Sequence, residues 1–158
     1  MKFNLLSKNP DETELIGFNI GKKLKGGEVI ELNSELGGGK TTFTHGLAKG
    51  IKSKDKVSSP TFTISKIYEG ELIDIHHFDF YRLNDSDLIV HELADVLLNK
   101  KNVVVIEWPE LVTNTLPEER LIINFIYSDD DVRNILFTYP ESLSYLLGEY
   151  VDTNNPNR

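Results

Sequence analysis

The chain has 158 residues, 39% hydrophobic and 27% charged, which fits one globular domain with a proper core and excludes a disordered chain. It contains no cysteine, so disulfides, thiolate metal sites and cysteine nucleophiles are excluded. The net charge of −8 argues against autonomous binding to nucleic acid, and no apolar stretch suits a signal peptide or a membrane span, so a cytoplasmic protein is expected.

In chain order, the first expected element is a helix with a clear start. Asn9 can cap it, Pro10 fits the first helical position and Glu12 completes a capping-box pattern. Ile16, Ile20 and Leu24 recur on one face, and Gly26-Gly27 is the expected stop. A short strand over 28–32 leads into a glycine-rich turn. A helix follows from about Thr41, with Phe43, Leu47 and Ile51 at helical spacing. Segments 61–68 and 72–80 are rich in β-branched and aromatic residues and read as a hairpin about Glu69-Gly70-Glu71. A helix over 85–99 precedes Val103-Val104-Val105-Ile106, an apolar run suited to a strand buried on both faces. Segments 121–127 and 132–139 form a second hairpin, and a last helix starts near Glu141. Residues 1–150 thus read as one α/β domain and 151–158 as a disordered tail. Alternating helices and buried strands imply α/β layers, and the hairpins make the sheet a mixed parallel/antiparallel one.

Strand, glycines, Lys-Thr, helix is the arrangement that a phosphate-binding loop (Walker A) needs. Glycines let several N–H groups converge on phosphate oxygens, and the helix start adds its own N–H groups and positive dipole end. Lys40 is placed to bridge the terminal phosphates of ATP, and the Thr41 hydroxyl to ligate magnesium. The usual first glycine of the pattern is replaced by Ser34. If that position needs a positive φ, serine there costs roughly 1 kcal/mol.

Such a site also needs acids. Glu107 directly follows the buried run and suits a metal anchor at a strand end. Asp79 points away from Phe78 and Phe80 in a strand, where it can hold the magnesium shell, polarise water or pair with Arg82. Trp108 can wall the site or sit in the core. The hydroxyl-rich segment 58–63 suits a loop that senses a γ-phosphate, or a plain strand-entry turn. His76, His77 and His91 lack zinc-binding spacing and read as surface or packing residues. The six lysines between 40 and 66 form either a solvated face or a basic rim to the site.

Four blocks together carry a resemblance: Leu36-Gly37-Gly38-Gly39-Lys40-Thr41-Thr42-Phe43, Ser59-Pro60-Thr61-Phe62-Thr63, His77-Phe78-Asp79-Phe80-Tyr81-Arg82-Leu83 and Ile106-Glu107-Trp108-Pro109-Glu110. In this order and spacing the chain resembles the bacterial TsaE (YjeE) family from about Pro10 to Phe137. The resemblance implies a three-layer α/β/α P-loop NTPase fold and a slow, magnesium-dependent ATPase. That ATPase would serve threonylcarbamoyladenosine modification of tRNA, resetting a complex of TsaB and TsaD. It implies catalytic roles for Lys40, Thr42, Asp79 and Glu107. Leu36, Gly37, Gly38, Gly39, Lys40, Thr41, Thr42, Trp108 and Arg133 would bind ATP or ADP, and Thr41, Glu107 and Asp79 the magnesium.

Two rival readings remain. A small-molecule kinase on the same loop would bring arginines over the transferred phosphate, but the chain has only Arg82, Arg120, Arg133 and Arg158. A nucleotide-gated binding module without significant turnover would need neither Asp79 nor Glu107. No direct tRNA binding and no membrane contact are expected of the chain alone.

Overall fold

The computed structural model describes residues 1–81, 87–129 and 131–153. Its strands are β1 (Lys2–Ser7), β2 (Val29–Asn33), β3 (Ser65–Glu69), β4 (Asp74–Asp79), β5 (Asn102–Glu107), β6 (Leu121–Asp129) and β7 (Val132–Thr138). Its helices are α1 (Pro10–Gly21), α2 (Lys40–Gly50), α3 (Asp87–Leu98) and α4 (Gly148–Thr153), with short 3-10 turns at Pro109–Leu111 and Glu141–Leu146.

The strands form one sheet in the order β1-β7-β6-β2-β5-β4-β3. The inner strands β6, β2, β5 and β4 run parallel, and β3, β7 and β1 join antiparallel at the flanks, so the sheet is mixed as expected. Every residue of β5 is buried, the signature of a strand covered on both faces. Helices α1 and α2 and the chain around Leu146 and Leu147 cover one face, over Ile30, Leu32, Val103 and Val105. Leu93 of α3 and the segment holding Val112 and Leu116 cover the other, over Val104, Ile106 and Phe78. This is a three-layer P-loop α/β fold.

Local chemistry sets the element ends. The Asn9 side chain accepts from Glu12 N at 2.8 Å, and the Glu12 carboxylate reaches back to Lys8 N at 2.8 Å. Two reciprocal bonds thus satisfy donors at the start of α1. That helix ends at Gly21, ahead of the expected stop at Gly26-Gly27, and Leu24 packs from the loop beyond it. Segment 61–63 is a turn, not strand, so β3 starts only at Ser65. The C-terminal helix near Glu141 begins as a 3-10 turn and becomes α-helical only from Gly148 to Thr153. The strand β1 was not anticipated. It is an edge strand whose alternation rests on half-buried Phe3 and Leu5, a weak pattern, and the Met1 ammonium adds a bond to Tyr139 O at 2.6 Å.

Helices α1 and α2 approach so closely that side chains would block them. A Cβ on Gly17 would collide with Phe43 O, and one on Gly46 with Glu14 O. A Cβ on Gly21 would stand 2.5 Å from Leu47 O, and one on Gly50 2.6 Å from Phe18 O. Glu14 closes this seam by pairing with His45 and Lys49, and the Lys49 hydrogen bond is the main cause that lowers its pKa. The expected helix start at Asp85, the Asp79–Arg82 pair and tail residues 154–158 lie outside the described residues. Among the described residues, no helix is long and apolar enough to cross a membrane.

Candidate active site

The site forms where β2, β4 and β5 end, because their parallel direction brings three C-terminal ends to one edge of the sheet. After β2 the chain turns through 34–39 into α2. The turn places Gly37 at φ 77° and Gly39 at φ 110°, a region that glycine enters without strain. Gly39 is the N-cap of α2, and no side chain caps that helix. Its first N–H groups are therefore available to an anion.

Ser34 does not carry the strain considered from the sequence. Among the described residues other than glycine, only Lys52, Ile64 and Trp108 have positive φ. The left-handed turns of the loop fall on Gly37 and Gly39 instead. Ser34 Oγ accepts a hydrogen bond from Lys40 Nζ at 2.9 Å and fills the space that a Cβ on Gly38 would need.

Lys40 is the buried cation of the loop. Its Nζ also stands 3.7 Å from Glu107 Oε2 and 5.3 Å from the centre of the Trp108 ring. Glu107 ends β5 in register with Asp79 at the end of β4, so the two carboxylates leave the same face of the sheet. Phe78 and Phe80 stack on the opposite face with ring centres 5.9 Å apart, as the alternation requires. Glu107 is 3% exposed and Asp79 2%. Buried carboxylates are costly unless paired. Glu107 is met by Lys40 and by His77 Nε2 at 2.9 Å from Oε1. Asp79 Oδ2 accepts from Thr61 Oγ1 at 2.5 Å and more weakly from Ser59 Oγ at 3.4 Å, while Oδ1 accepts from Tyr81 N at 3.0 Å.

These groups line one cleft of about 320 Å³. Leu36, Gly37, Gly38, Gly39, Lys40, Thr41 and Thr42 form one wall, and Asp79, Glu107, Trp108, Ser59 and Thr61 close it. Trp108 is half-buried, at φ 57° and ψ 61°, with the Tyr81 ring 5.0 Å away. It walls the cleft beside Lys40. Arg133 is the one expected site residue outside this cleft. It lines an adjoining cleft of about 380 Å³ that shares Leu36, Gly37 and Gly38, donates from Nε to Gly38 O at 3.2 Å and lies over the Tyr127 ring.

His77 is not an ordinary surface or packing residue. It is fully buried and bonded to Glu107. The alternation that turned Asp79 away from Phe78 and Phe80 also puts His77 on the Asp79 face, and that was the signal for it. His76 fits the plain reading better: it is half-buried, and burial is the main cause that lowers its pKa. His91 is exposed.

The sequence profile described as "Threonylcarbamoyl adenosine biosynthesis protein TsaE" matches residues 7–135. A Bacillus subtilis protein named tRNA threonylcarbamoyladenosine biosynthesis protein TsaE is 40% identical over 131 residues, covering 82% of this chain and 81% of that protein. A Treponema pallidum protein of the same name is 35% identical over 130 residues, covering 82% and 96%. The crystal structure of Bacillus subtilis YdiB superposes with a TM-score of 0.80 at 32% identity, covering 98% of this chain and 97% of that one.

Proposed function

The chain belongs to the TsaE family of threonylcarbamoyl adenosine biosynthesis proteins, and from that membership we propose that it is a magnesium-dependent ATPase serving threonylcarbamoyladenosine modification of tRNA, acting on a complex of TsaB- and TsaD-type proteins. One observation carries the catalytic part. Separate segments of the chain deliver a glycine loop, an uncapped helix start, a buried lysine and paired strand-end acids to a single cleft.

The donor set fits magnesium, which takes oxygen ligands and is typically held by one or two carboxylates plus phosphates. The residues that would hold it are Thr41, Glu107 and Asp79. When bound, magnesium would neutralise phosphate charge and orient the terminal phosphate. The loop N–H groups would cradle the phosphates of ATP or ADP, and Lys40, now bonded to Ser34, would bridge them. Thr42 lines the cleft from the first turn of α2 and would face the phosphates. Asp79 accepts a proton-bearing group on the side of Ser59 and Thr61, the position for orienting an attacking water. Trp108 screens that water-reactive centre from bulk solvent. Arg133 holds the loop from behind through Gly38 O and borders the adjoining cleft.

Lys40→Ala tests the reading. A charge-assisted contact at the phosphates is worth roughly 2–3 kcal/mol, so calorimetry should find ATP binding weakened by well over tenfold with the melting curve preserved. Wild-type hydrolysis by this variant would refute the assignment. Glu107→Gln should slow hydrolysis and shift the magnesium titration more than it weakens ATP binding. An unchanged magnesium titration would remove Glu107 from the metal side. Among the described residues, no arginine lines the cleft, where the kinase reading expects them. Replacing ATP by a non-hydrolysable analogue in a multiple-turnover tRNA-modification assay separates an ATPase from a nucleotide-gated binding module.

A further inference from the structure

Two buried side chains beneath the cleft have no part in the reading above. Tyr68 on β3 is 1% exposed and His77 on β4 is fully buried. Tyr68 is the register partner of Ile75, so it shares a face with His77 as a diagonal neighbour across the antiparallel pair. The Tyr68 hydroxyl donates to Ser58 O at 2.9 Å and lies 3.3 Å from His77 Nδ1. The opposite edge of the same imidazole meets Glu107 Oε1 at 2.9 Å, and the other oxygen of Glu107 faces Lys40 at 3.7 Å. A continuous line of polar contacts therefore runs from the carbonyl of Ser58 to the cation of the glycine loop. Burial is the main cause that raises the Tyr68 pKa, so its hydroxyl keeps its proton as a donor.

The 58–63 loop is gripped at a second point, where Thr61 donates to Asp79. Just beyond it Ile64 has φ 68°, a conformation that a β-branched residue adopts only when its surroundings impose it. Its N–H donates to Pro60 O at 2.6 Å and its carbonyl accepts from Asp79 N at 2.9 Å. The loop thus ends on a strained residue bonded to the site, and Phe62 at its tip is 84% exposed.

We infer that Tyr68 and His77 are positioning residues that couple the state of Lys40 and Glu107 to the 58–63 loop. The imidazole is a rigid ring with a polar neighbour at each nitrogen, so it cannot follow Glu107 without altering its contact with Tyr68, and with it the hold on Ser58. Nucleotide binding draws Lys40 and Glu107 toward phosphate and metal, and the change reaches the loop through the interior. This inference rests on the proposed nucleotide site.

The test is hydrogen exchange on the full chain, with and without ADP or a non-hydrolysable ATP analogue, following peptides over 58–64. Trp108 emission and calorimetry report binding separately. In the wild type, nucleotide should slow exchange in the loop several-fold. Tyr68→Phe keeps the ring and removes the hydroxyl, and it should bind nucleotide with unchanged affinity while the loop no longer responds. His77→Gln should lose the same response, and Tyr68→Phe alone decides the matter if that variant does not fold. A loop that responds fully in Tyr68→Phe overturns the coupling and leaves the pair a satisfied piece of core. A wild-type loop that ignores bound nucleotide overturns it too. Absence of nucleotide binding to the wild type would overturn the proposed ATPase, and the coupling with it.

Discussion

Ser34 shows how one hydroxyl changes the argument about a loop. The residue is free of backbone strain, so relief of strain is no reason to replace it. Its Oγ instead shares the ammonium of Lys40 with Glu107. That contact competes with phosphate for the same cation. Its loss should tighten nucleotide binding a few-fold, equivalent to roughly 1 kcal/mol. Ser34→Gly and Ser34→Ala both remove the hydroxyl, and only glycine adds backbone freedom. Equal gains in the two variants, measured by calorimetry, would assign the effect to Oγ. Weaker binding in both would mean that Ser34 aims the lysine at phosphate. Trp108 offers a probe at the same scale, because it is the sole tryptophan and its ring lies 5.3 Å from Lys40 Nζ. Its emission should change saturably with ATP or ADP, and the change should vanish in Lys40→Ala. A flat titration with binding confirmed by calorimetry would detach Trp108 from the nucleotide.

At the scale of elements, the loop is aimed by the way α2 sits on α1. The seam has backbone on both sides at Gly17 and Gly46, so an added methyl has no side chain to displace. Overpacking of this kind costs about 1–3 kcal/mol. Gly46→Ala should therefore lower the melting temperature clearly, whereas Gly148→Ala, where a Cβ meets nothing within 4 Å, should not. Equal melting of the two variants would show that the helices can part freely. This seam also marks what the sequence left hidden. The first helix, the loop-to-helix junction, the buried strand and both hairpins were legible, since capping residues, glycines and apolar runs are local signals. The position of Asp79 was legible from alternation alone. The partners of Glu107 and Asp79 were not, because Lys40, His77, Thr61 and Ser59 reach them through sheet pairing and loop closure over long stretches of chain. The edge strand β1 was missed for the same reason: its bonds are made with β7, at the far end of the sequence.

For the whole molecule, the open question is what completes the cleft. Among the described residues its only lining cation is Lys40, and Arg133 borders the adjoining cleft. In related chemistry an arginine supplied in trans is worth roughly 10³-fold or more in rate. Hydrolysis by the isolated chain should therefore be slow, and the proposed TsaB–TsaD complex should accelerate it. The surface around the cleft narrows where such a partner docks. Lys49 is already paired with Glu14 and Lys52 with Glu71, so they contribute little field. Lys54 and Lys56 are exposed, and among the described residues neither forms an ion pair. Beside the cleft, Leu36 is 69% exposed and Phe62 84%. An acidic partner surface with an apolar centre would suit both features. Charges exposed on such a rim are screened over about 8 Å at physiological salt, whereas the apolar contacts are not. Stimulation by the partners should therefore shrink with salt without vanishing, and Lys54→Glu with Lys56→Glu should reduce it at low salt more than at high salt. Phe62→Ser should reduce it at both. Stimulation insensitive to all three changes would move the docking surface elsewhere. No stimulation where the complex demonstrably forms would sink the idea of a cation supplied in trans. Tight tRNA binding by this chain alone would also count against it, because a net charge of −8 gives the phosphate backbone little to hold.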